Sequence, residues 1–311
     1  MMIHQNPNML LRIAQADACG MATEYLKPEH QGSVDEALKF EHYVQHPVLT
    51  DVRAGRYTDD TQMSIAVAET LLKDDNPSIG AFANNFVAAF CRDIRGGYSS
   101  RVLDALAGAT SGEDLLRICD ADSDFNGAAM RAVPIGVLPD VELVKHVAAK
   151  QALPTHDTPG GVLSAQAVAL MSHFALHTDG DFAALPEFLS YTLGIVTSSK
   201  YTSLAARWHG RVAVGKDKPG MGILTARAVM TLLIEEKSLM AIMRRLLEWG
   251  GDTDSVAAIA WGIASSRYQD EVLPEFMERD LEPGSEYGVA FLKGLGVQLM
   301  AKYLSGWSPN E

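Results

Sequence analysis

Two short acidic stretches carry the residue types that bind hard cations. The first reads Tyr57-Thr58-Asp59-Asp60-Thr61-Gln62 and the second Trp249-Gly250-Gly251-Asp252-Thr253-Asp254-Ser255. Each sets two carboxylates and a hydroxyl where a loop turns into an apolar helix, over 63–68 behind the first and 256–260 behind the second. Carboxylate and hydroxyl oxygens suit Mg²⁺ or Mn²⁺, whereas zinc calls for His or Cys. A plain helix cap, contributing about 1 kcal/mol, accounts for one aspartate of Thr58-Asp59-Asp60 and leaves the other without a purpose. In the second stretch Gly250-Gly251 frees the backbone for a tight turn. Asp252 and Asp254, at i and i+2, can then converge on one point, with Ser255 as cap or ligand. The same pattern occurs in ordinary turns and in Ca²⁺ loops, but an EF-hand needs more oxygens and a distal Glu that 256–263 do not supply.

The elements that must position these groups read as helices. Asp59 or Asp60 caps a helix running to about Lys73, its apolar face carried by Met63, Val67 and Leu71. Residues 9–24 repeat apolar positions at a helical period, and Gly20 there predicts close approach by another helix or a ligand. Helical patterns recur over 78–95, 101–109, 113–119, 139–150, 160–177, 181–196, 201–213, 221–236, 238–248, 255–267 and 285–304. Gly, Pro or Asp punctuate the joins. No stretch alternates with period two for long, so strand content is expected to be low. Residues 25–56 are richer in Pro, Gly, His and charge and read as a long loop, of the kind that is more often functional than idle. No internal repeat or separating linker is visible. If the two acidic stretches share a site, the chain closes around it, which favours one domain over two separate bundles.

The bulk properties narrow the class. The 311 residues are 47% hydrophobic and 21% charged, as in a folded soluble protein with ample core. A net charge of −13 argues against non-specific nucleic-acid binding. The cysteines Cys19, Cys91 and Cys119 are odd in number and far apart, as expected of buried thiols in a reducing compartment. The opening residues lack a basic and an apolar region of secretory type. The best apolar run, 162–176, is too short and too polar to span a bilayer. The expected location is the cytoplasm.

Taken together, the motifs resemble those of the ADP-ribosylglycohydrolases, the ADP-ribosyl hydrolases of the dinitrogenase-reductase-activating type. Both acidic stretches match, and three further segments follow in order. Ala16-Asp17-Ala18-Cys19-Gly20-Met21-Ala22-Thr23-Glu24 is similar to the family's first helix, G-D-A-x-G-x-x-x-E. The run 126–136 (Asn126-Gly127-Ala128-Ala129-Met130-Arg131, then Pro134 and Gly136) resembles N-G-x-x-M-R-x-x-P-x-G. Thr155-His156 resembles a T-H segment. The resemblance is strongest over 9–266. It implies an all-α fold, a single compact domain over 1–311 with a central dimetal cleft, a mobile loop at 25–56 and a tail at 305–311. It also implies two divalent cations, Mg²⁺ or Mn²⁺, held by Thr58, Asp59, Asp60, Asp252, Asp254 and Ser255, the last standing where many members have Thr. Four carboxylates in one cavity would repel unless divalent charge offset them.

The resemblance assigns catalysis to Asp59, Asp60, Asp252, Asp254 and Glu24. Glu24 is also a substrate contact, against the alternative of a solvated helix-end glutamate. Asn126, Gly127 and Ala128 match a phosphate contact, which exposed amides at a helix start would suit. Met130 and His156 complete the substrate set, although Met130 and Arg131 could equally be a core residue and a structural ion-pair partner. Asp124-Phe125 departs from the smaller or more polar residues common in the family. The implied reaction is removal of ADP-ribose from a modified acceptor, ADP-ribosyl-arginine on protein first, by water attack at C1″. The alternatives are an ADP-ribosyl-serine or small-molecule conjugate, a non-catalytic ADP-ribose-binding or structural member, and a metal-dependent phosphate-ester hydrolase. A monomer with no nucleic-acid or membrane partner is expected.

Overall fold

The computed structural model describes residues 4–194, 204, 206–211 and 220–304. Among them there are fifteen α-helices and no strand: α1 (Met9–Gly20), α2 (Gln31–Ala37), α3 (Asp59–Lys73), α4 (Ile79–Arg92), α5 (Ser100–Gly108), α6 (Gly112–Ile118), α7 (Gly127–Met130), α8 (Val141–Ala152), α9 (Pro159–His177), α10 (Leu185–Thr192), α11 (Met221–Glu235), α12 (Leu239–Trp249), α13 (Thr253–Ala264), α14 (Phe276–Arg279) and α15 (Val289–Tyr303). Short 3₁₀ turns at Met21–Thr23 and Val133–Val137 extend the ends of this scaffold.

The centre of the fold is the pairing of α1 with α13, helices from opposite ends of the sequence. Every residue of α13 is buried, and all of α1 except Arg12. Two glycines let the helices approach. A Cβ on Gly20 would fall 2.5 Å from the Thr253 carbonyl oxygen, and one on Gly262 would fall 2.6 Å from Ile13 Cγ1. The expected close approach at Gly20 is therefore by a helix. Helix α3 packs against α1, α4 and α15, while α9 is flanked by α8, α11 and α7. Helix starts are fixed by side chains: Ser78, Ser111, Asp140, Thr158 and Ser238 each accept a backbone amide from the first turn of the helix that follows.

Several expectations need correction. Residues 25–56 are not one loop, because a 3₁₀ turn at Pro28–His30 leads into α2. Ala37 is the only buried residue of α2, so no apolar stripe marks it in the sequence. The cap of α3 is Thr58, not an aspartate, and Asp59 and Asp60 sit in the first turn. Much of the helix expected over 201–213 lies outside the described residues, and 206–211 are not helical. Only Cys19 of the three cysteines is buried; Cys91 is exposed and Cys119 half-buried.

Candidate metal centre and substrate cleft

The first acidic stretch is held by a carboxylate on α1. Asp17 is fully buried, and four donors converge on it: the Thr58 and Thr61 amides and both threonine hydroxyls, the shortest at 2.6 Å from Thr61 Oγ1. Thr58 Oγ1 thus donates to Asp17 while accepting the Asp60 amide at 3.4 Å. The Asp59 amide donates to the Gly96 carbonyl, and a Cβ on Gly97, at φ +101°, would fall 2.0 Å from Asp59 Oδ1. Glycine is required there. Behind the motif, buried Glu282 accepts the Tyr57 amide at 2.9 Å and bonds the Arg95 and Arg56 guanidiniums. The region after 266, beyond the stretch where the resemblance is strongest, therefore buttresses the site.

The second stretch is set by backbone that only glycine adopts freely. Gly250 and Gly251 have φ of +68° and +95° and swing the chain so that Asp252 immediately precedes α13. Thr253 Oγ1 donates to the Gly20 carbonyl and accepts from Thr23. A single parallel bridge joins Glu24 to Gly251, and the Tyr25 amide donates to the Gly251 carbonyl at 2.7 Å. This pins Tyr25 at φ +47°, a left-handed conformation unusual for a bulky residue. Glu24, Asp252 and Asp254 each consequently offer a carboxylate oxygen within 4.8 Å of the others. Ser255, in the first turn of α13, lines the same cleft as Asp60 and Asp252.

A cleft opens over this cluster. Of the residues singled out in the sequence, Asp59, Asp60, Asp252, Asp254, Ser255, Glu24, Asn126, Gly127, Met130 and His156 line it. Thr58 and Ala128 are fully buried behind it. The Asn126 amide donates to Asp252 Oδ2 at 2.6 Å, so the group matched to a phosphate contact faces a carboxylate. Gly127 is a glycine because His156 packs on it: a Cβ would lie 2.7 Å from His156 Cε1. Burial holds that imidazole well below its usual pKa, helped by Arg131 and Arg101, so it is neutral. Arg131 is no ion-pair partner among the described residues. It donates to Gln151 and Thr155 and stacks on Phe86, 4.2 Å from the ring centroid. Sequence reasoning missed Asp17 and Tyr25 as site residues. Asp17 had left a signal, a lone carboxylate inside an apolar helix.

The electrostatics fit a cation. Burial, then the charges of Asp17 and Glu24, holds Asp59 well above the carboxylate range. Burial and neighbouring carboxylates do the same for Asp60 and Asp254. Glu24 is pushed up to about 8 by burial and then Asp252, and Asp17 to about 6 by burial against the bonds from Thr61 and Thr58. Asp60 Oδ1 and Asp254 Oδ1 are buried with no hydrogen-bond partner at all. A buried acceptor left unpaired costs about 1–3 kcal/mol, more for a charged group. An all-oxygen donor set around two orphaned carboxylate oxygens suits a hard divalent ion, and Thr58, Asp59, Asp60, Asp252, Asp254 and Ser255 could hold it.

Comparison with known proteins points the same way. A family model described as ADP-ribosylglycohydrolase matches residues 8–303. An ADP-ribosylhydrolase ARH3 from Xenopus tropicalis is 26% identical over 269 residues, covering 71% of this chain and 76% of its own. An uncharacterized protein from Archaeoglobus fulgidus is also 26% identical over 269 residues, covering 84% and 86% respectively. A solved structure titled ADP-ribosylglycohydrolase-related protein complex superposes with a TM-score of 0.70 at 20% identity, covering 96% of this chain and 97% of that one.

Proposed function

The chain belongs to the ADP-ribosylglycohydrolase family, a family of hydrolases that act on the glycosidic bonds of ADP-ribose, and from that premise we propose that it frees arginine side chains of ADP-ribose. The observation that supports a metal-assisted route is the pair of orphaned buried oxygens, Asp60 Oδ1 and Asp254 Oδ1, beside Glu24. Two divalent cations, Mg²⁺ or Mn²⁺, would be held by Thr58, Asp59 and Asp60 on one side and Asp252, Asp254 and Ser255 on the other. Thr58 gives its hydroxyl proton to Asp17, which leaves a lone pair for ligation. When bound, such ions supply Lewis acidity and orient the ribose diol.

The remaining chemistry belongs to side chains. Glu24 stands at the mouth of the cluster and takes the proton of the attacking water, a task for which a pKa near the working pH is best. The water oxygen attacks C1″, the bond from C1″ to the guanidine nitrogen breaks, and the guanidine departs with the electron pair and takes from Glu24 the proton that the water gave up. Developing positive charge on the sugar is favoured by the surrounding carboxylates. The same acidic field favours a cationic guanidine as acceptor over a neutral serine hydroxyl. Gly127 and neutral His156 line the cleft without adding negative charge and would receive the anionic pyrophosphate. We assign the working form as a cytoplasmic monomer.

The test is a panel of ADP-ribosyl-arginine, ADP-ribosyl-serine and small ADP-ribose conjugates, each with Mg²⁺ or with chelator. Release should be fastest from arginine and should stop with chelator. Faster release from serine would overturn the acceptor assignment, and activity that survives exhaustive chelation would overturn the role of the cations.

A further inference from the structure

We propose that His46 is a positioning residue for Glu24, holding the catalytic glutamate in register with the second acidic stretch. The proposal rests on the reading of Glu24 as the residue that takes the proton from water.

His46 is buried, although it lies in the segment 38–58 between α2 and α3, where few side chains are. Its ring is fully committed. Nδ1 accepts from two backbone amides, those of Val48 at 3.1 Å and Leu49 at 2.8 Å. An imidazole nitrogen that accepts carries no proton, so the proton sits on Nε2. Nε2 then donates to the Glu24 carbonyl oxygen at 2.9 Å. The tautomer is therefore fixed by backbone, and its one N–H is aimed at the catalytic residue's own peptide.

That peptide needs holding. The Glu24 carbonyl belongs to the unit that joins it to Tyr25, and Tyr25 is kept at φ +47°. A bulky residue in this region costs on the order of 1–3 kcal/mol and persists only where its surroundings over-determine it. Two bonds do so from opposite sides: the Tyr25 amide to the Gly251 carbonyl, and His46 to the Glu24 carbonyl. The bridge from Glu24 to Gly251 sets the glutamate beside Asp252, and His46 prevents that peptide from rotating out of the left-handed turn.

The other side of His46 is equally well braced. Gln45 Nε2 donates to the Val52 carbonyl at 2.8 Å while its Oε1 accepts the Ala54 amide at 2.9 Å. Val52 in turn packs where a Cβ on Gly96 would fall, 2.6 Å from Val52 Cγ2. The loop is thus fastened to the glycine pair that also supports Asp59, and through His46 to Glu24. One ring connects the supports of both acidic stretches.

Two substitutions separate the bonds. In His46→Asn, the amide oxygen replaces Nδ1 and keeps the Val48 and Leu49 bonds, but no donor reaches Glu24. In His46→Gln, the longer side chain returns an N–H to the Nε2 position. With ADP-ribosyl-arginine and saturating Mg²⁺, kcat should fall about tenfold or more in His46→Asn, with KM within about twofold, because small misplacements of a catalytic group are costly. His46→Gln should restore most of kcat. Hydrogen exchange, which needs no turnover, supplies a second readout. The Tyr25 amide should lose protection in His46→Asn and regain it in His46→Gln, while the Val48 and Leu49 amides stay protected in His46→Asn. An asparagine variant with wild-type kcat and a protected Tyr25 amide would overturn the proposal, showing that the histidine only folds its own turn. Loss of Tyr25 protection in a chain whose wild type releases no ADP-ribose would instead uphold the positioning and sink the reading of function.

Discussion

At the residue scale, the site is an arrangement of carboxylates that are stable together only because each is separately restrained. Asp254 and Asp60 each carry an orphaned buried oxygen, and Asp254→Asn should remove a charge that nothing else replaces. We expect at least a hundredfold loss of kcat, about 3 kcal/mol of transition-state stabilisation. The gain in Tm on adding Mg²⁺ should shrink in the same variant, as read by thermal melts. Asp17 acts behind the ligands. Asp17→Asn keeps one acceptor oxygen but turns the other into an N–H facing groups that donate to it, so Thr58 and Thr61 can no longer both be held. A tenfold to hundredfold drop in Mg²⁺ affinity is the size expected of such a supporting partner, and it is measurable by titrating activity against the ion. The aspartates of the two stretches were legible because their residue types and spacing name a chemistry. Tyr25 and His46 were not, and Asp17 showed only as a lone carboxylate in an apolar helix, since what each does depends on partners 22 to 226 residues away that no local pattern reveals.

At the element scale, the ends of α3 and α13 decide the geometry. Helix boundaries were largely readable, because serine, threonine and aspartate caps and glycine turns punctuate the chain. What failed was the short or half-exposed element. α2 buries one residue and α14 spans a single turn, so neither carries a periodic stripe. The glycines between α1 and α13 test how tightly the site depends on packing. Gly20→Ala would place a methyl 2.5 Å from a backbone carbonyl at the start of α13, where nothing flexible can yield. Gly262→Ala meets the side chain of Ile13, which can move. Both should destabilise by about 1–3 kcal/mol in denaturant melts. Gly20→Ala should in addition cost activity at saturating Mg²⁺, and Gly262→Ala should not.

At the scale of the whole molecule, the same carboxylates link stability to pH. Glu24 and Asp17 have folded pKa values raised to about 8 and about 6. A raised carboxyl pKa means that the folded state holds protons the unfolded chain has lost. Stability from these groups is present below about pH 4 and is lost as pH rises through the folded values. His173, lowered to about 4 by burial and the neighbouring His177, works in the opposite sense, losing stability as pH falls from about 6.5. Subtracting melts in chelator from melts in Mg²⁺ cancels the histidine. The difference in Tm should be larger at pH 8 than at pH 6, since the ion then displaces fewer protons. The pairing of α1 with α13 carries a consequence of another kind. Thr253 meets the Gly20 carbonyl across 233 residues of chain. A ribosome adding about 5–20 residues per second needs on the order of 10–50 s to deliver that partner. Throughout that interval the nascent chain carries a first helix that lacks its main partner, with Leu10, Leu11 and Ile13 incompletely covered, which makes it a natural client for a chaperone waiting at the exit tunnel.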